Sequence, residues 1–420
     1  MQPVIGIDFG TTNSVVTALR PDGTAETLTR DTGEVFRSVL CFWSDPKGGA
    51  TRHAAGPAGI EAYLEEPLAS RLVMSMKSYL AQRSFTETRI FGRRFTLESL
   101  IALFLRDLLA PFGAAMEGAR VVVGRPVRFV GANPSAKGAD DDFGETRLRA
   151  AFAAAGLPAV EVALEPAAAG QRFAAGIDRP ATVLVGDFGG GTSDFSVMRF
   201  DPGPPAAVTA LGHAGVGLAG DAFDTRIIDR VVSPQLGKGD EYRIMGKPLP
   251  VPPAWYASFA RWHQLPLMRG PKTLREIAEV ARTADHPERL HRLVQLIEDE
   301  AGYALYRAVS SAKAALSSAE EAVLTFRHED FTIEAPIARA DFESWIAPDL
   351  ARMEAAVDAA LADAGLGPEA VDRVFLTGGT SLVPAVRALF ARRFGEERIF
   401  GGGEFVSVAE GLALMGRDQI

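Results

Sequence analysis

The chain opens with two short apolar runs, Val4–Ile7 and Val15–Leu19, separated by the polar, glycine-bearing bend Asp8-Phe9-Gly10-Thr11-Thr12-Asn13. Apolar stretches on either side of such a bend predict a hairpin. The same plan returns later: Thr182–Val185, then Asp187-Phe188-Gly189-Gly190-Gly191-Thr192, then Phe195–Met198. Asp8 and Asp187 are 179 positions apart. Solenoid repeats have periods of about 20–50 residues, so this echo predicts two similar domains, each contributing one loop.

Between the hairpins the pattern predicts an irregular charged region (Arg37–Arg94), a helix from Leu97 interrupted near Pro111, and a short strand at Arg120–Val123. A Gly/Pro/Asp-rich loop (Gly131–Asp142) and a helix from about Glu145 to Ala155 follow, ended by Gly156 and Pro158. After the second hairpin, Ser233–Lys272 is dense in Pro and Gly and carries Tyr242, Trp255, Tyr256 and Trp262. It reads as a long insertion with little regular structure, whose aromatics fill a small satellite core rather than a partner surface. Apolar residues then recur at the helical period from Leu290 through Ile297 and Leu305 to Leu316, predicting one long amphipathic helix over about Glu288–Ser318. The last part reads as a helix (Asp341–Ala364), a strand (Val374–Leu376), a glycine turn (Gly378-Gly379) and a helix from Pro384.

Composition narrows the class. With 420 residues, 47% hydrophobic and 23% charged, the chain is globular and long enough for two domains. Its net charge of −9 supplies no general field toward nucleic acid or anionic lipid, so a polyanionic ligand has to be held by local chemistry. Cys41 is the single cysteine, which excludes an intramolecular disulfide and multi-cysteine zinc sites and fits a reducing compartment. The start MQPVIGIDFG lacks a basic n-region, and charges or prolines are expected to interrupt every apolar run before it reaches spanning length. The expectation is a soluble, cytoplasmic protein. His286 and His291 leave a common helix face and no H-E-x-x-H occurs, which argues against zinc.

The two bends carry the candidate chemistry. Consecutive glycines let backbone N–H groups approach a phosphate without an intervening Cβ, and Thr11, Thr12 and Thr192 add hydroxyl donors. Asp8 and Asp187 at the loop mouths repel phosphate unless a cation intervenes. Mg²⁺ is the natural bridge, commonly held by one or two carboxylates with several waters. The pair of loops therefore predicts a metal–nucleotide clamp, with Asp8 and Asp187 acting on the metal through water. A single such loop is ordinary turn chemistry; the repetition gives it weight. The G-x-G-x-x-G run Gly215–Gly220 is read as a phosphate-side loop, because Asp240 and Glu241, about 20 residues on, fall in a Gly/Pro-rich stretch rather than at a strand end. No G-x₄-G-K-[ST] occurs.

GIDFGTTNSV and GDFGGGTSDFSV resemble the two phosphate loops of the actin-like ATPase superfamily, and the Gly-Gly-Gly-Thr form is most similar to DnaK-type 70-kDa heat-shock proteins. SMKSYL (Lys77), LEPAAAG (Glu165), GLAGDAFD (Gly220, Asp224), SSAKAALSS (Lys313) and LTGGTSLVP (Gly378, Gly379) follow the family's order along nearly the whole chain. The resemblance implies a bilobed α/β fold of two duplicated ribonuclease-H-like lobes with the nucleotide cleft between them. Lobe I would span 1–180, with 37–118 inserted and 400–420 returning to it; lobe II would span 181–399, with about 233–340 inserted.

The resemblance further implies binding of ATP or ADP with Mg²⁺ and weak ATP hydrolysis. Asp8 and Asp187 would orient the metal, Lys77 and Glu165 would place the attacking water and stabilise charge, and Thr192 would lie by the terminal phosphate. Nucleotide contacts would come from Gly10, Thr11, Thr12, Asn13, Gly189, Gly190, Gly191, Gly220, Asp221, Lys313, Ser317, Gly378, Gly379 and Thr380. By residue type alone, Lys77 reads as a solvated lysine, Glu165 as an acid at a helix start before Pro166, and Ser310, Lys313 and Ser317 as one polar helix stripe.

Ser310 and Ala314 stand where the family usually has Glu and Arg, and Leu382 and Phe405 replace polar residues near the base, which implies weaker or less base-selective binding. The chain is similar to the short, YegD-like branch, with no peptide-binding domain after Gly411-Leu412-Ala413. The reading is a monomeric conformational switch that signals to a protein partner or co-chaperone, without nucleic acid or membrane. An actin-like filament subunit is the alternative. A small-molecule kinase is disfavoured, for lack of a further cleft Asp in a recognisable setting.

Overall fold

The computed structural model describes residues 2–30, 33–45, 49–66, 69–130, 132, 138–171, 179–202, 207–261, 268–401 and 406–417. The chain divides into two compact units, residues 1–219 with 352–420, and residues 220–351. Both glycine hairpins, expected in separate lobes, fall in the first unit.

The chain begins with β1 (Val4–Phe9), β2 (Asn13–Leu19), β3 (Ala25–Thr27) and β4 (Phe36–Arg37). Among the described residues, the region expected to be irregular carries regular strands and a helix. β5 (Val39–Ser44), β6 (Thr51–Ala55) and β7 (Ser70–Met74) form a sheet in the order β6-β5-β7 beside helix α1 (Gly56–Glu65), and β8 (Glu87–Ile90) pairs with β9 (Arg93–Thr96). Buried residues follow one another along β5 and so show no alternation, while the other strands are too short to reveal a period.

Thr96 caps α2 (Leu97–Leu109) by accepting from the Ser99 N–H, and Pro111 turns the chain through a 3-10 segment into α3 (Gly113–Met116). By length and composition alone Leu97–Met116 could cross a membrane, its most apolar 18 residues having mean hydropathy 1.5, but Arg106, Asp107 and Pro111 interrupt it as expected. Here its Leu100, Ile101, Phe104, Leu105 and Leu108 are buried core, with Phe104 against Phe9 and Phe36.

β10 (Arg120–Arg125) leads to α4 (Ala139–Ala154), which starts earlier than expected, with Asp140, Asp141 and Asp142 in its first turn, where the helix dipole favours acids. Half of the Gly131–Asp142 stretch lies outside the described residues. β11 (Val160–Leu164), α5 (Glu165–Ala169), β12 (Ala181–Phe188), β13 (Ser193–Asp201) and β14 (Ala207–Val216) follow.

The second unit holds α6 (Gly220–Ile227), the hairpin β15 (Glu241–Ile244) and β16 (Lys247–Pro250), α7 (Pro253–Phe259), α8 (Pro271–Ala281), α9 (Pro287–Glu298), α10 (Gly302–Leu316), β17 (Glu321–His328) and β18 (Phe331–Ala338). The insertion is thus more regular than its composition suggested. Pro253 and Pro271 begin helices, a position that dispenses with the missing N–H. Tyr256 is fully buried with its hydroxyl on the Leu236 carbonyl at 2.9 Å; Trp262 lies outside the described residues. The single long helix is two helices. Glu298, Asp299 and Glu300 put negative charge where the dipole disfavours it, and Glu300 turns left-handed (φ +51°).

α11 (Arg339–Asp363) carries the chain back to the first unit, followed by β19 (Arg373–Thr377), α12 (Pro384–Phe394), β20 (Ile399–Gly401) and α13 (Ser407–Arg417). Two sheets organise this unit, ordered β11-β10-β1-β2-β3, with β4 also on β2, and β20-β19-β12-β13-β14. In each, an antiparallel three-strand meander is extended by two parallel strands. The duplication visible in the two loops thus extends to strand order and direction.

The core decides which way the loops face. One cluster joins Ile5, Ile7, Phe9, Val121 and Val123 to α2 and α4. A second joins Val4 and Val122 of the first sheet, Ala167–Ala169 of α5, Val408 and Leu412 of α13, and Val183, Val185, Met198 and Phe200 of the second sheet. With a strand period of two, Asp8 shares the face of Val4, and Asp187 that of Val183 and Val185, so both carboxylates project on the side of this shared core.

Candidate functional site

Each hairpin closes on the same register. Phe9 pairs with Ser14 around Gly10-Thr11-Thr12-Asn13, and Phe188 pairs with Ser193 around Gly189-Gly190-Gly191-Thr192. The first loop is braced from outside: Arg37 donates to the Asn13 side chain at 3.1 Å, and the Ser38 N–H to the Thr12 carbonyl at 2.9 Å. The second is closed from within, the Gly189 N–H donating to the Thr192 carbonyl at 2.9 Å.

Lys77 is not the solvated lysine its type suggests. It sits on a 3-10 turn, Met76–Tyr79, entered through left-handed Ser75 (φ 54°), and its ammonium donates to Glu165. Lys77 is 8% exposed and Glu165 6%. Glu165 occupies the first position of α5, before Pro166, so its role at the helix start and its pairing with Lys77 hold together.

The acids share one electrostatic environment. Asp8 is pushed up to about 8, first by burial, then by the charge of Glu165, with Lys77 opposing and Asp187 adding to the rise. Asp187 is pushed up to about 7 by burial, Glu165 and Asp194, against Lys77. Asp194 also rises to about 7, by burial and Glu165, against Lys77 and a hydrogen bond from the Thr192 side chain. Burial pulls the Lys77 ammonium down, but Glu165, Asp8 and Asp187 outweigh it and its pKa is raised. Four carboxylates therefore surround one buried ammonium, an arrangement short of positive charge. Among the described residues no three His, Cys, Asp or Glu side chains converge closely enough to hold a metal directly.

Asp194 was absent from the sequence-derived set. It lies directly opposite Asp187 on the neighbouring strand, where Cβ atoms are about 4.5–5.5 Å apart and like charges repel. The signal was available: counting outward from a four-residue loop closed by Phe188 and Ser193 brings 187 opposite 194.

Of the C-terminal site residues, Gly378 backs the second loop. Its φ is +87°, and a Cβ there would lie 2.0 Å from the Phe188 carbonyl oxygen, so only glycine fits. Gly379 and Thr380 continue in a 3-10 turn, in which Ser381 bonds back to the Gly378 carbonyl at 2.6 Å.

In the second unit, Lys313 of α10 donates to the Gly220 carbonyl at 3.0 Å and to buried Asp224 at 2.8 Å, and Tyr306 reaches Asp221 at 3.3 Å. Ser317 lies past the end of α10, its N–H on the Ala314 carbonyl. Ser310 is half-buried and Ala314 exposed on that helix, and Leu382 is exposed; Phe405 lies outside the described residues. The Gly215–Gly220 run spans the junction from β14 to α6. Glu241 opens a strand rather than a loop, and Asp240 is engaged by Arg289 at 2.9 Å, which removes it as a ribose partner.

Two sheets of like order, each aiming an acidic glycine hairpin toward a common core, are the pattern of the actin-like ATPase fold. The Hsp70 protein family profile matches residues 141–240 and 290–417, more than half of the chain, and the chain belongs to the Hsp70 family. It is 27% identical over 419 residues to the chaperone protein DnaK of Thermotoga petrophila and 26% identical over 430 residues to that of Thermosipho africanus. Each alignment covers 98% of this chain and 58% of the relative, so the chain spans under two thirds of the length of the curated relatives it matches.

Proposed function

We propose that this chain is an ATP-binding and weakly ATP-hydrolysing conformational switch, acting in the cytoplasm on a protein partner. The observation that carries the reading is the buried Lys77–Glu165 pair with half-buried Asp8, Asp187 and Asp194 beside two glycine loops. Raised carboxylate pKa values mean that the ligand-free site lacks positive charge, and a hard cation bound through water suits that donor set. When bound, Mg²⁺ would supply charge neutralisation between these carboxylates and the nucleotide phosphates.

The chain's own residues do the rest. The loop N–H groups of Gly10–Asn13 and Gly189–Thr192 hold phosphate oxygens, as backbone nests do. Lys77 offers a compact charge to the developing phosphoryl oxyanion, and Glu165 holds Lys77 in place and orients the attacking water. Thr192 faces the terminal phosphate, and Gly378 keeps the second loop close to its neighbouring strand.

The test is calorimetric titration with ATP, ADP and GTP, with and without Mg²⁺, on the parent and on Asp8→Asn. The expected result is Mg²⁺-dependent binding of ATP that Asp8→Asn weakens. A parent that binds none of the three overturns the reading.

A further inference from the structure

His213 is a buried polar side chain to which none of these roles is assigned. It lies on β14, diagonal to Asp194. Across the sheet, Asp187, Asp194 and Gly215 form one row, and Val185, Ser196 and His213 the next row on the same face. Asp194 lies flat over Gly215: a Cβ at 215 would sit 2.6 Å from Asp194 Oδ1. One contact holds the imidazole beside it and another holds its backbone. Ser196 Oγ is 3.1 Å from Nδ1, and the His213 backbone N–H donates to Asp363 Oδ2 at 2.9 Å. Nε2 then faces Asp194 Oδ1 at 3.7 Å.

We infer that His213 is a positioning residue for Asp194: the Ser196 hydroxyl donates to Nδ1, so the imidazole keeps its proton on Nε2 and aims it at the Asp194 carboxylate. This rests on the proposed ATPase reading. The ring is neutral over the working range, because burial, and the Arg128 guanidinium after it, press its pKa down to about 4 against the pull of Asp363. A neutral imidazole with one fixed N–H orients a carboxylate without neutralising it. The 3.7 Å separation exceeds a hydrogen bond, as expected of catalytic contacts that tighten only with ligand bound. With Thr192 bonding the same carboxylate, Asp194 is steered from both the glycine loop and the far strand.

Two replacements separate positioning from packing. His213→Gln puts an amide N–H near the place of Nε2, whereas His213→Asn puts one near Nδ1 and leaves Asp194 without it. For full-length protein with saturating Mg-ATP, His213→Ala and His213→Asn are expected to lower kcat about tenfold, the usual scale for residues that orient a site group. KM should stay within about twofold, and His213→Gln should restore kcat to within about twofold of the parent. Ser196→Ala, which frees the tautomer while keeping the ring, is the substitute should His213→Ala fail to fold, and should also lower kcat. Parent-like turnover in His213→Ala, or Gln no better than Asn, overturns the role.

Nitrogen-15 NMR of the parent imidazole reads the alignment independently of turnover. A proton on Nε2 supports it and a proton on Nδ1 overturns it. A parent that turns over no ATP defeats the ATPase reading, and the tautomer then decides the His213–Asp194 alignment by itself.

Discussion

The two glycine hairpins are the same piece of backbone with different charge. Each closes a four-residue loop on a Phe–Ser pair, and each sends an Asp toward the same core. In the first, Asp8 faces Val15 across the strands; in the second, Asp187 faces Asp194. Duplication preserved strand order, register and direction while leaving the halves chemically unequal. The second hairpin brings two carboxylates to a place where cross-strand like charges are unfavourable, and only Lys77 supplies a buried cation among the groups that set their pKa values. The asymmetry is a property of side chains, and it can be changed without touching the backbone.

The largest expected effect comes from removing the cation on which both hairpins depend. Lys77→Met leaves Glu165 buried among the other acids, and loss of one partner of a buried pair costs about 3–5 kcal/mol, to be read by urea unfolding. Next is Gly378→Ala, which touches only the second hairpin. Its Cβ has no room beside the Phe188 carbonyl and its φ is left-handed, so a loss of about 1–3 kcal/mol is expected together with weaker nucleotide binding in titration.

Asp194→Val gives the second hairpin the chemistry of the first. It should abolish turnover yet stabilise the nucleotide-free fold at pH 8 by about 1 kcal/mol, by removing one of two facing carboxylates. The last expectation is a slope rather than a single change. Asp8, Asp187 and Asp194 keep protons in the folded state up to about 7–8, whereas unfolded Asp releases them near 3.8. Their contribution is complete below pH 3.8 and is lost as pH rises through 7–8, so the folded state without nucleotide or metal loses stability between pH 5 and pH 8. Unfolding curves in EDTA across that range check this, and Asp194→Val should flatten the slope.

Much of this was legible in residue order. The four strands of the two hairpins lie where their apolar runs fall, and Gly378 ends β19 as expected. Lys77 had no signal of its own, because nothing in a lysine's local sequence tells whether a distant Glu165 meets it; motif order alone selected it. Asp194 could have been found by counting ladder positions outward from the loop. The 37–94 region resisted because short strands with uninterrupted burial carry no period, and the break at Glu300 was masked by apolar spacing that continues across it, although three successive acids marked it.

The shared strand order has a consequence for how this architecture can grow. In each sheet the chain leaves the last antiparallel strand and must travel back past its neighbours to lay down a parallel one, β3 to β10 and β14 to β19, a crossover that cannot be a tight turn. All of the second unit, and the β5–β9 region with it, is spliced into those two excursions. Length has accumulated where the polypeptide was obliged to detour, and the hairpins on either side were spared.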